Sequence, residues 1–419
     1  MTSSPRRVVA IVFGNRSAPA MSLAEAASSL CDIVWVVNSR EMSDPTMVRL
    51  LKKLGRVVDI SDMTPSAAAE AVGSTQPEGI VAFGDAQIAT ASALGTALGL
   101  EYHDAVVAER LLDKLVQRQA LRDAGVASPR CVALSSRQSP TEQDVVIRGT
   151  TFPAILKPRY GAASRETHRV DDVEQLRALA RQVLEEQGEP DLVIEDFLTD
   201  PTSPPSDYFG NYVSVESVVS AGTISHLGVT GRLPSAKPFR ETGLIIPSDF
   251  APSLVADILS LATRAVNAIG IQHGCLHTEI KVTDDGPRVI EVNGRIGGFV
   301  APVLALASPG LNFYEMALRI ALGERIVVES LVSRDHVGYV IVGQPPIGAR
   351  RVAQVTGLDE LAHLPGVDSV SLNRRPGDEV DWRLGSHEYV FSVLGTAPHH
   401  AGVRAVQQFI DEHVIIDFD

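Results

Sequence analysis

The stretch His273–Ala301, HGCLHTEIKVTDDGPRVIEVNGRIGGFVA, contains two runs of alternating polar and apolar residues with the turn-forming sequence DDGP between them. The first run carries His277, Glu279 and Lys281 on one face of a strand, because successive side chains of a strand point to opposite faces. The second run carries Glu291 in the same alternating pattern. Two such runs joined by a short turn predict a β-hairpin.

Two carboxylates are expected to face each other across this hairpin. If the hairpin is symmetric about its turn, Glu279 lies opposite Glu291 and His277 lies opposite Asn293. Carboxylates with Cβ atoms about 5 Å apart repel each other, by as much as about 4 kcal/mol at an effective dielectric constant of 20. A divalent cation between them would reverse that sign, and Mg²⁺ is usually held by one or two carboxylates plus substrate phosphates. We therefore predict a metal site of Glu279, Glu291 and Asn293, with Arg295 nearby; a solvated polar face is the alternative.

A zinc site is a second alternative for the same stretch. His273, Cys275 and His277 share one strand face. Structural zinc sites close with four ligands at recognisable spacings, and no CxxC or HxxxH pair occurs elsewhere in the chain to complete the set. The sequence favours the oxygen-ligand site.

The motif E-I-K-V…V-I-E-V-N-G-R-I-G-G resembles the metal-binding signature of ATP-grasp enzymes. The resemblance covers roughly residues 105–330. It is strongest to the branch that holds L-amino-acid ligases, and more distant to biotin carboxylase and glycinamide ribonucleotide synthetase. It implies ATP and Mg²⁺ as cofactors, with Mn²⁺ as an alternative metal, a catalytic and substrate-binding role for Arg295, and a substrate contact at Gly298. A homodimer is an open alternative to a monomer.

Net charge and cysteine content limit which cell compartment and which binding partners are expected. The net charge of −14 argues against a nucleic-acid or anionic-membrane surface, where a basic patch is expected. Three scattered cysteines do not form a disulfide framework and indicate a reducing compartment. No signal peptide or membrane-spanning run is evident. We expect a cytoplasmic protein whose partners are small molecules.

The order of the predicted elements indicates α/β and α+β architecture. Residues 1–105 alternate strands and helices, which predicts a parallel α/β domain. In that domain Gly84-Asp85 follows a strand, either as part of a ligand site or as a helix cap. With the ATP-grasp resemblance, residues 106–330 form the core: a linking helix at 106–125, a small subdomain at 126–198 and a large subdomain at 199–330. Residues 331–419 are expected to form a small α+β domain that acts as a lid or an interface.

The resemblance also assigns ATP-binding residues. The helix segment D-K-L-V-Q-R-Q-A-L contains Lys114, which would reach the nucleotide phosphates. The segment K-P-R-Y-G-A-A-S resembles the loop that closes over ATP, and it contributes three residues to the site: Lys157, Gly161 and Ser164. The segment L-V-I-E-D-F-L resembles the hinge whose backbone grips adenine, and it contributes Glu195 and Leu198. Without the resemblance, an ordinary helix, turn or strand end would be the default interpretation of each segment.

The substrate side is assigned less completely. Glu216 on the predicted strand 212–219 resembles the acidic residue that faces the acceptor substrate. The segment K-P-F-R-E-T-G-L resembles the part of the ligases that borders the phosphates and the carboxyl substrate, and it gives Lys237 a catalytic, charge-balancing role. Leu244 stands where a histidine is common.

These features together predict an ATP-dependent carboxylate–amine ligase that forms an amide or peptide bond through an acyl phosphate and releases ADP and phosphate. Amino acids are the expected substrates. An ATP-grasp carboxylase that uses bicarbonate is the enzymatic alternative, and a nucleotide-binding module without turnover is the non-enzymatic one.

Overall fold

A parallel sheet forms the amino-terminal part of the chain in the computed structural model, which describes residues 6–186, 188–206, 209–328 and 336–419. Its elements are β1 (Val8–Phe13), α1 (Ala20–Ala27), β2 (Asp32–Val37), α2 (Pro45–Leu54), β3 (Arg56–Asp59), α3 (Pro65–Gly73), β4 (Gly79–Ala82) and α4 (Asp85–Leu98). The strands pair in the order β3-β2-β1-β4. Nearly every residue of β1 and β2 is buried, since helices cover both faces of the sheet. The predicted parallel α/β architecture is confirmed.

Two short helices replace the single linking helix predicted at residues 106–125. They are α5 (Ala105–Leu112) and α6 (Lys114–Asp123). Asp113 between them is extended, at φ −103° and ψ 108°, and its side chain accepts hydrogen bonds from the first backbone amides of α6. The prediction of one continuous helix is therefore wrong, because Asp113 ends one helix and caps the next.

A small antiparallel sheet follows. Its elements are β5 (Cys131–Ser135), α7 (Pro140–Arg148), β6 (Ala154–Pro158), β7 (His168–Val170), α8 (Val173–Arg181) with a π-helical turn at Gln182–Glu186, and β8 (Asp191–Asp196). The strand order is β5-β8-β6-β7. Residues 159–167, which we name the β6–β7 loop, connect the two strands at one edge of this sheet.

A large antiparallel sheet dominates the rest of the molecule. Its first part contains β9 (Tyr212–Ser220), β10 (Thr223–Arg232), β11 (Gly243–Ile246), α9 (Pro252–Ile269), β12 (Gly274–Thr283), β13 (Gly286–Asn293), α10 (Val300–Ala307) and α11 (Phe313–Ala321). Apolar residues of α9 pack on one face of β9, β12 and β13. Residues of α10 and α11 pack on the other face, together with α1 and strands of the parallel sheet. The hairpin β12–β13 thus packs against α9 through one face, and Cys275 of its other face joins the second cluster.

The carboxyl-terminal residues extend the same large sheet. They form β14 (Val337–Gly343), β15 (Val352–Thr356), α12 (Leu358–Leu361), β16 (Val367–Leu372), a 3₁₀ turn at Trp382–Glu388, β17 (Phe391–Ala397), α13 (His400–His413) and β18 (Ile415–Phe418). The full order of the sheet is β13-β12-β9-β10-β11-β14-β17-β16, and β15 pairs with β18 separately. The predicted boundary at residues 330 and 331 lies outside the described residues. Within the described ranges, no helix has the length and hydropathy needed to cross a membrane.

Candidate active site

The register of the β12–β13 hairpin places two carboxylates opposite each other. Glu279 pairs with Glu291, and His277 pairs with Asn293, as the alternating sequence predicts. A side chain and its directly opposite neighbour lie on the same face of the sheet. The hairpin and the two predicted pairs are therefore confirmed. The assumed symmetry about Asp285 is wrong, because nearer the turn Ile280 pairs with Val289 and not with Ile290.

A β-bulge next to Glu279 is what brings Glu291 onto its face. Counting from the turn, Ile280 pairs with Val289, whereas Glu279 pairs with Glu291, so Ile290 is the extra residue of β13. Without the extra residue Glu279 would face Ile290, and Glu291 would point to the other side, because a shift of one residue reverses the face of a strand. The two carboxylates thus lie on the same face only because of this bulge.

Strand β9 extends this arrangement of polar side chains to a third strand. Its antiparallel pairing with β12 creates two rows of polar side chains across three strands. The first row is Ser214, Glu279 and Glu291, and the second row is Glu216, His277 and Asn293.

Glu216 and His277 form a buried pair behind the first row. Both residues are buried, and His277 Nδ1 lies 3.0 Å from the Glu216 carboxylate. Ser214 Oγ and Thr230 Oγ1 donate hydrogen bonds to the same carboxylate at 2.7 and 3.1 Å. Burial lowers the pKa of His277, but the charge and hydrogen bond of Glu216 outweigh burial and raise it to about 9. Glu216 thus favours the protonated imidazole, whereas Arg232 Nη2, 3.2 Å from His277 Nε2, favours the neutral one. The Glu216 carboxylate is buried.

Three cations stabilise the ionised form of Glu279. Burial raises the pKa of this carboxyl group, but hydrogen bonding and the charge of His277, with further contributions from Arg232 and Arg295, lower it to about 2. His277 Nε2 lies 3.6 Å from the Glu279 carboxylate. The repulsion expected between Glu279 and Glu291 is thus offset by neighbouring positive charge.

Arg232 connects this network to a further carboxylate. It lies at the end of β10, is buried, and donates a hydrogen bond to Ser214 Oγ at 2.9 Å. Its Nε lies 3.6 Å from Glu241, which also accepts a hydrogen bond from Tyr212 Oη at 3.3 Å. The Tyr212 ring lies 5.4 Å from the guanidinium group, within the range of a cation–π contact. Glu241 is partly exposed, so a ligand has access to its carboxylate.

The donor atoms of the two rows suit a hard cation. Glu279 and Glu291 offer carboxylate oxygens, and both remain partly exposed. Asn293 donates its Nδ2 hydrogen to the His277 carbonyl at 3.2 Å, which leaves the amide oxygen for a ligand. Two carboxylates and one amide oxygen fit Mg²⁺ when substrate phosphates supply further oxygens.

The zinc candidates do not converge on one point. His273 Nδ1 lies 3.6 Å from Glu101, while Cys275 Sγ donates towards the Phe313 carbonyl at 3.9 Å. His277 turns to Glu216 instead. Among the residues that the structure describes, no group of three histidine, cysteine or acidic side chains has the geometry of a metal centre.

Lys114 joins the hairpin to the β6–β7 loop. It is the first residue of α6, is buried, and places Nζ 3.2 Å from Glu291 while donating to the Gly161 carbonyl at 2.5 Å. Its position follows from Asp113, which accepts hydrogen bonds from Arg159 Nε at 2.8 Å to both carboxylate oxygens. The residue that breaks the predicted helix therefore also anchors the start of the loop.

Lys157 lies at the end of β6, where it meets the predicted hinge. Its Nζ lies 2.7 Å from Glu195, whose other carboxylate oxygen lies 3.0 Å from Arg118 Nε. Burial raises the pKa of Glu195, but Arg118 and Lys157 outweigh it and lower the pKa below its ordinary value. The Glu195 side chain thus points inward, and its backbone lies within the sheet, where Glu195 pairs with Cys131 of β5 and Ile155 of β6. The partly buried Leu198 follows the end of β8.

Arg295 is held by the amino-terminal domain. Its Nε and Nη2 donate to Asp85 at 3.1 and 3.0 Å, across 210 residues of sequence. Gly84 is the cap residue of α4 and Asp85 is its first residue, without a side-chain capping bond. The capping interpretation of Asp85 is therefore wrong, and the residue lies at the site. Gly298 is exposed, and the space around its Cα is open.

Two predicted residues lie at the margin. Lys237 is exposed on the turn between β10 and β11, and its backbone carbonyl accepts a hydrogen bond from Arg240 Nε at 2.9 Å. The structure does not bring its ammonium group to the paired carboxylates, so its catalytic role stays a prediction. Ser164 lies in the β6–β7 loop with a left-handed backbone, at φ 57°.

Sequence reasoning missed three residues of this site: Arg232, Glu241 and Asp85 as a partner of Arg295. Arg232 carries one recognisable signal, a charged residue at the end of a run of apolar and small residues. Glu241 lies inside a segment that was recognised, but its partners come from β9 and β10.

Residues 150–303 match a sequence model described as an ATP-grasp domain. Among curated relatives, the alanine–anticapsin ligase of Bacillus subtilis (strain 168) is 26% identical over an alignment of 220 residues, which covers 48% of this chain and 45% of that protein. Human carnosine synthase 1 is 25% identical over an alignment of 201 residues, which covers 45% of this chain and 23% of that protein. The chain thus spans less than half the length of either relative.

A solved structure extends the similarity to the whole chain. The L-amino acid ligase from Bacillus licheniformis superposes with a TM-score of 0.78, at 21% identity, and the match covers 100% of both chains. The similarity at this level of identity concerns the fold, and it includes the amino-terminal sheet and the carboxyl-terminal strands.

Proposed function

Because the chain has the ATP-grasp fold and carries an ATP-grasp domain at residues 150–303, we propose that it is an ATP-dependent carboxylate–amine ligase. The γ-phosphoryl group of ATP is transferred to a carboxylate oxygen, which gives ADP and an acyl phosphate. The amine nitrogen then attacks the acyl carbon, the bond from that carbon to the phosphate oxygen breaks, and phosphate leaves with the proton that the amine loses. The observation that carries the proposal is the pairing of Glu279 with Glu291 beside Lys114.

Glu279, Glu291 and Asn293 would hold Mg²⁺. When bound, this ion neutralises phosphate charge and orients the transferred group. His277 keeps Glu279 ionised and oriented, because the cationic imidazole is itself fixed by the buried Glu216. Glu216, expected from the resemblance to face the acceptor substrate, is thereby proposed to act through His277 instead.

Three cations are proposed to meet the phosphates and the acyl group. Lys114 and Lys157 are buried and fixed by Glu291 and Glu195, so their charge is in place before the nucleotide arrives. Arg295, fixed by Asp85, stabilises the charge that develops on the acyl phosphate. An acidic protein binds a polyphosphate only where its cations are concentrated in this way.

Glu241 is the residue that we propose for the amine. Its carboxylate is partly exposed, while its neighbours Arg232 and Tyr212 are fixed. A carboxylate in such a partly desolvated position forms a charge-assisted hydrogen bond with an ammonium group. Amino acids are the proposed substrates, and the names of the L-amino acid ligase and of the alanine–anticapsin ligase support that class.

The test is interception of the acyl phosphate by hydroxylamine. The protein is incubated with ATP, Mg²⁺, hydroxylamine and a panel of amino acids and related small carboxylic acids. We expect at least one acid to give its hydroxamate together with ADP and phosphate. AMP and pyrophosphate would mean adenylation and would contradict the mechanism, and ADP release that only bicarbonate stimulates would favour a carboxylase.

A matched control for this assay lies on the same hairpin. Asp285 is an exposed carboxylate at the turn. Glu291→Gln is expected to abolish hydroxamate formation, whereas Asp285→Asn is expected to leave it unchanged. Equal activity of the two variants would show that the hairpin carboxylate does not take part in the reaction.

A further inference from the structure

A strap from the carboxyl-terminal part of the chain lies against the β6–β7 loop. We name the 3₁₀ turn Trp382–Glu388 the strap; it is interrupted at Gly385, where φ is 86° and ψ is −155°. This backbone conformation is one that residues other than glycine rarely adopt. The backbone conformation of the strap therefore favours glycine at position 385.

One side of the strap contacts the loop through backbone atoms. Ser386 N donates to the Ala163 carbonyl at 3.0 Å, and Glu166 N donates to the Arg383 carbonyl at 3.4 Å. A Cβ atom added at Gly385 would overlap that same Ala163 carbonyl oxygen. In this part of the loop Ala163, Ser164 and Glu166 all have a left-handed backbone, with φ between 47° and 61°. A loop conformation of this kind persists only where neighbours hold it.

The other side of the strap contacts Glu241. Glu241 N donates to Ser386 Oγ at 3.0 Å. Gln344, which follows β14, donates from its side chain to the carbonyl oxygens of both Glu241 and Ser386, at 2.7 and 3.0 Å. Ser386 thus contacts the loop through its backbone N–H group and Glu241 through its hydroxyl group.

We infer that Ser386 is a positioning residue that couples the β6–β7 loop to Glu241. The inference rests on the proposed function, in which Glu241 binds the amine, and on the family resemblance, which implies that the loop closes over ATP. Because one residue contacts both elements, a displacement of the loop displaces the strap and then the backbone of Glu241. Nucleotide binding therefore fixes the amine-binding carboxylate, and by thermodynamic reciprocity the amine strengthens nucleotide binding.

Hydrogen exchange of the full chain tests this coupling without an amine. The probe is the non-hydrolysable ATP analogue AMP-PNP with Mg²⁺, and exchange is followed in peptides that cover residues 159–167 and 238–246. In the unsubstituted protein we expect the analogue to slow exchange in both segments, on the order of tenfold. In Ser386→Ala we expect the same slowing in the loop but a smaller slowing in residues 238–246, because the hydroxyl acceptor of Glu241 N is gone while Gln344 still bridges the two backbones.

Two further variants make the test specific. Ser386→Thr retains a hydroxyl acceptor and is expected to restore protection of residues 238–246. Gly385→Ala displaces the strap and is expected to remove that protection as well, whereas Gly377→Ala is its control, since Gly377 has a φ of 95° but no atom within 4 Å of an added Cβ.

The outcomes are distinguishable. If Ser386→Ala protects residues 238–246 as strongly as the unsubstituted protein does, the coupling is overturned. Protection of the loop alone in the unsubstituted protein would overturn it as well, while the ligase proposal would stand in either case. If AMP-PNP neither binds nor protects the loop, the proposed function fails and the coupling fails with it.

Discussion

The paired carboxylates are the residues whose function is most directly tested. Glu279→Gln and Glu291→Gln are each expected to lower Mg²⁺-dependent turnover on the order of 100-fold or more, because each removes a ligand charge that phosphoryl transfer requires. Thermal unfolding should change by only a few degrees, since the apolar side chains of the hairpin pack against α9 on the face opposite the carboxylates. Near-normal turnover in either variant would show that the metal assignment is wrong.

Lys157 gives a second test at the scale of single residues. Lys157→Met is expected to weaken binding of a fluorescent ATP analogue on the order of 10- to 100-fold, because a buried charge-assisted contact is worth about 1.5–3 kcal/mol. Arg118 remains to pair with Glu195, so the fold is retained. Lys52 on α2 is exposed, and Lys52→Met serves as the control. Equal affinities of the two variants would return Lys157 to a structural role.

At this scale the sequence predicted the residues of the hairpin, because a strand repeats every two residues and the pattern is local. Glu279, Glu291 and Asn293 all fall within one turn and its two strands. The missing residues have distant partners: Asp85 contacts Arg295 across 210 residues. No local pattern predicts such a contact.

Among the elements, the start of α4 provides a direct connection between the amino-terminal domain and the site. Asp85→Asn is expected to lower kcat on the order of tenfold while leaving nucleotide affinity unchanged, because it removes the charge that holds Arg295 but no contact to Lys114 or Lys157. Steady-state kinetics with separate nucleotide titration measure both quantities. The control is Asp44→Asn at the exposed start of α2; a similar kcat for the two variants would contradict a positioning role.

The linking helix shows why one element was predicted incorrectly. Its amphipathic pattern continues through Asp113, and periodicity alone does not register a break. The break exists because Asp113 binds Arg159, which lies 46 residues away. The bulge at Ile290 has the same character, since only the pairing with β12 reveals the extra residue.

At the scale of the whole molecule, His103 lies where the amino-terminal domain meets the large sheet. It is buried, and its Nε2 has no hydrogen-bond partner among the described residues. It lines a small cavity with Phe83 and Cys275. Burial lowers its pKa from 6.5 to about 4, and the nearby Gly294 backbone opposes this only in part.

The sign of the resulting pH dependence follows from that shift. Below pH 6.5 the unfolded chain protonates His103 but the folded chain does not, so stability is lost as the pH falls towards 4. Between pH 7 and pH 5 the unsubstituted protein should lose about 2 kcal/mol more of its free energy of unfolding than His103→Gln. Denaturant titrations at both pH values measure the difference. An equal loss in the two proteins would show that His103 does not titrate on unfolding.

The order of the strands in the large sheet could not be predicted from the sequence. The strands near residues 338, 367 and 391 were predicted as a separate small unit, because each is recognisable only by its own composition. In the structure β14 pairs with β11 and β17 pairs with β14, so these strands continue the sheet that carries the hairpin. Strand neighbours that lie far apart in sequence have no periodic signature.

This shared sheet has a consequence for expression of fragments. β11 is four residues long, is buried throughout, and lies between β10 and β14. A fragment that ends at residue 328 would retain the ATP-grasp motifs but expose β11 as an unpaired apolar edge, the kind of surface that recruits other chains. We expect such a fragment to aggregate in size-exclusion chromatography, whereas removal of residues 415–419 alone leaves the large sheet complete and the protein soluble.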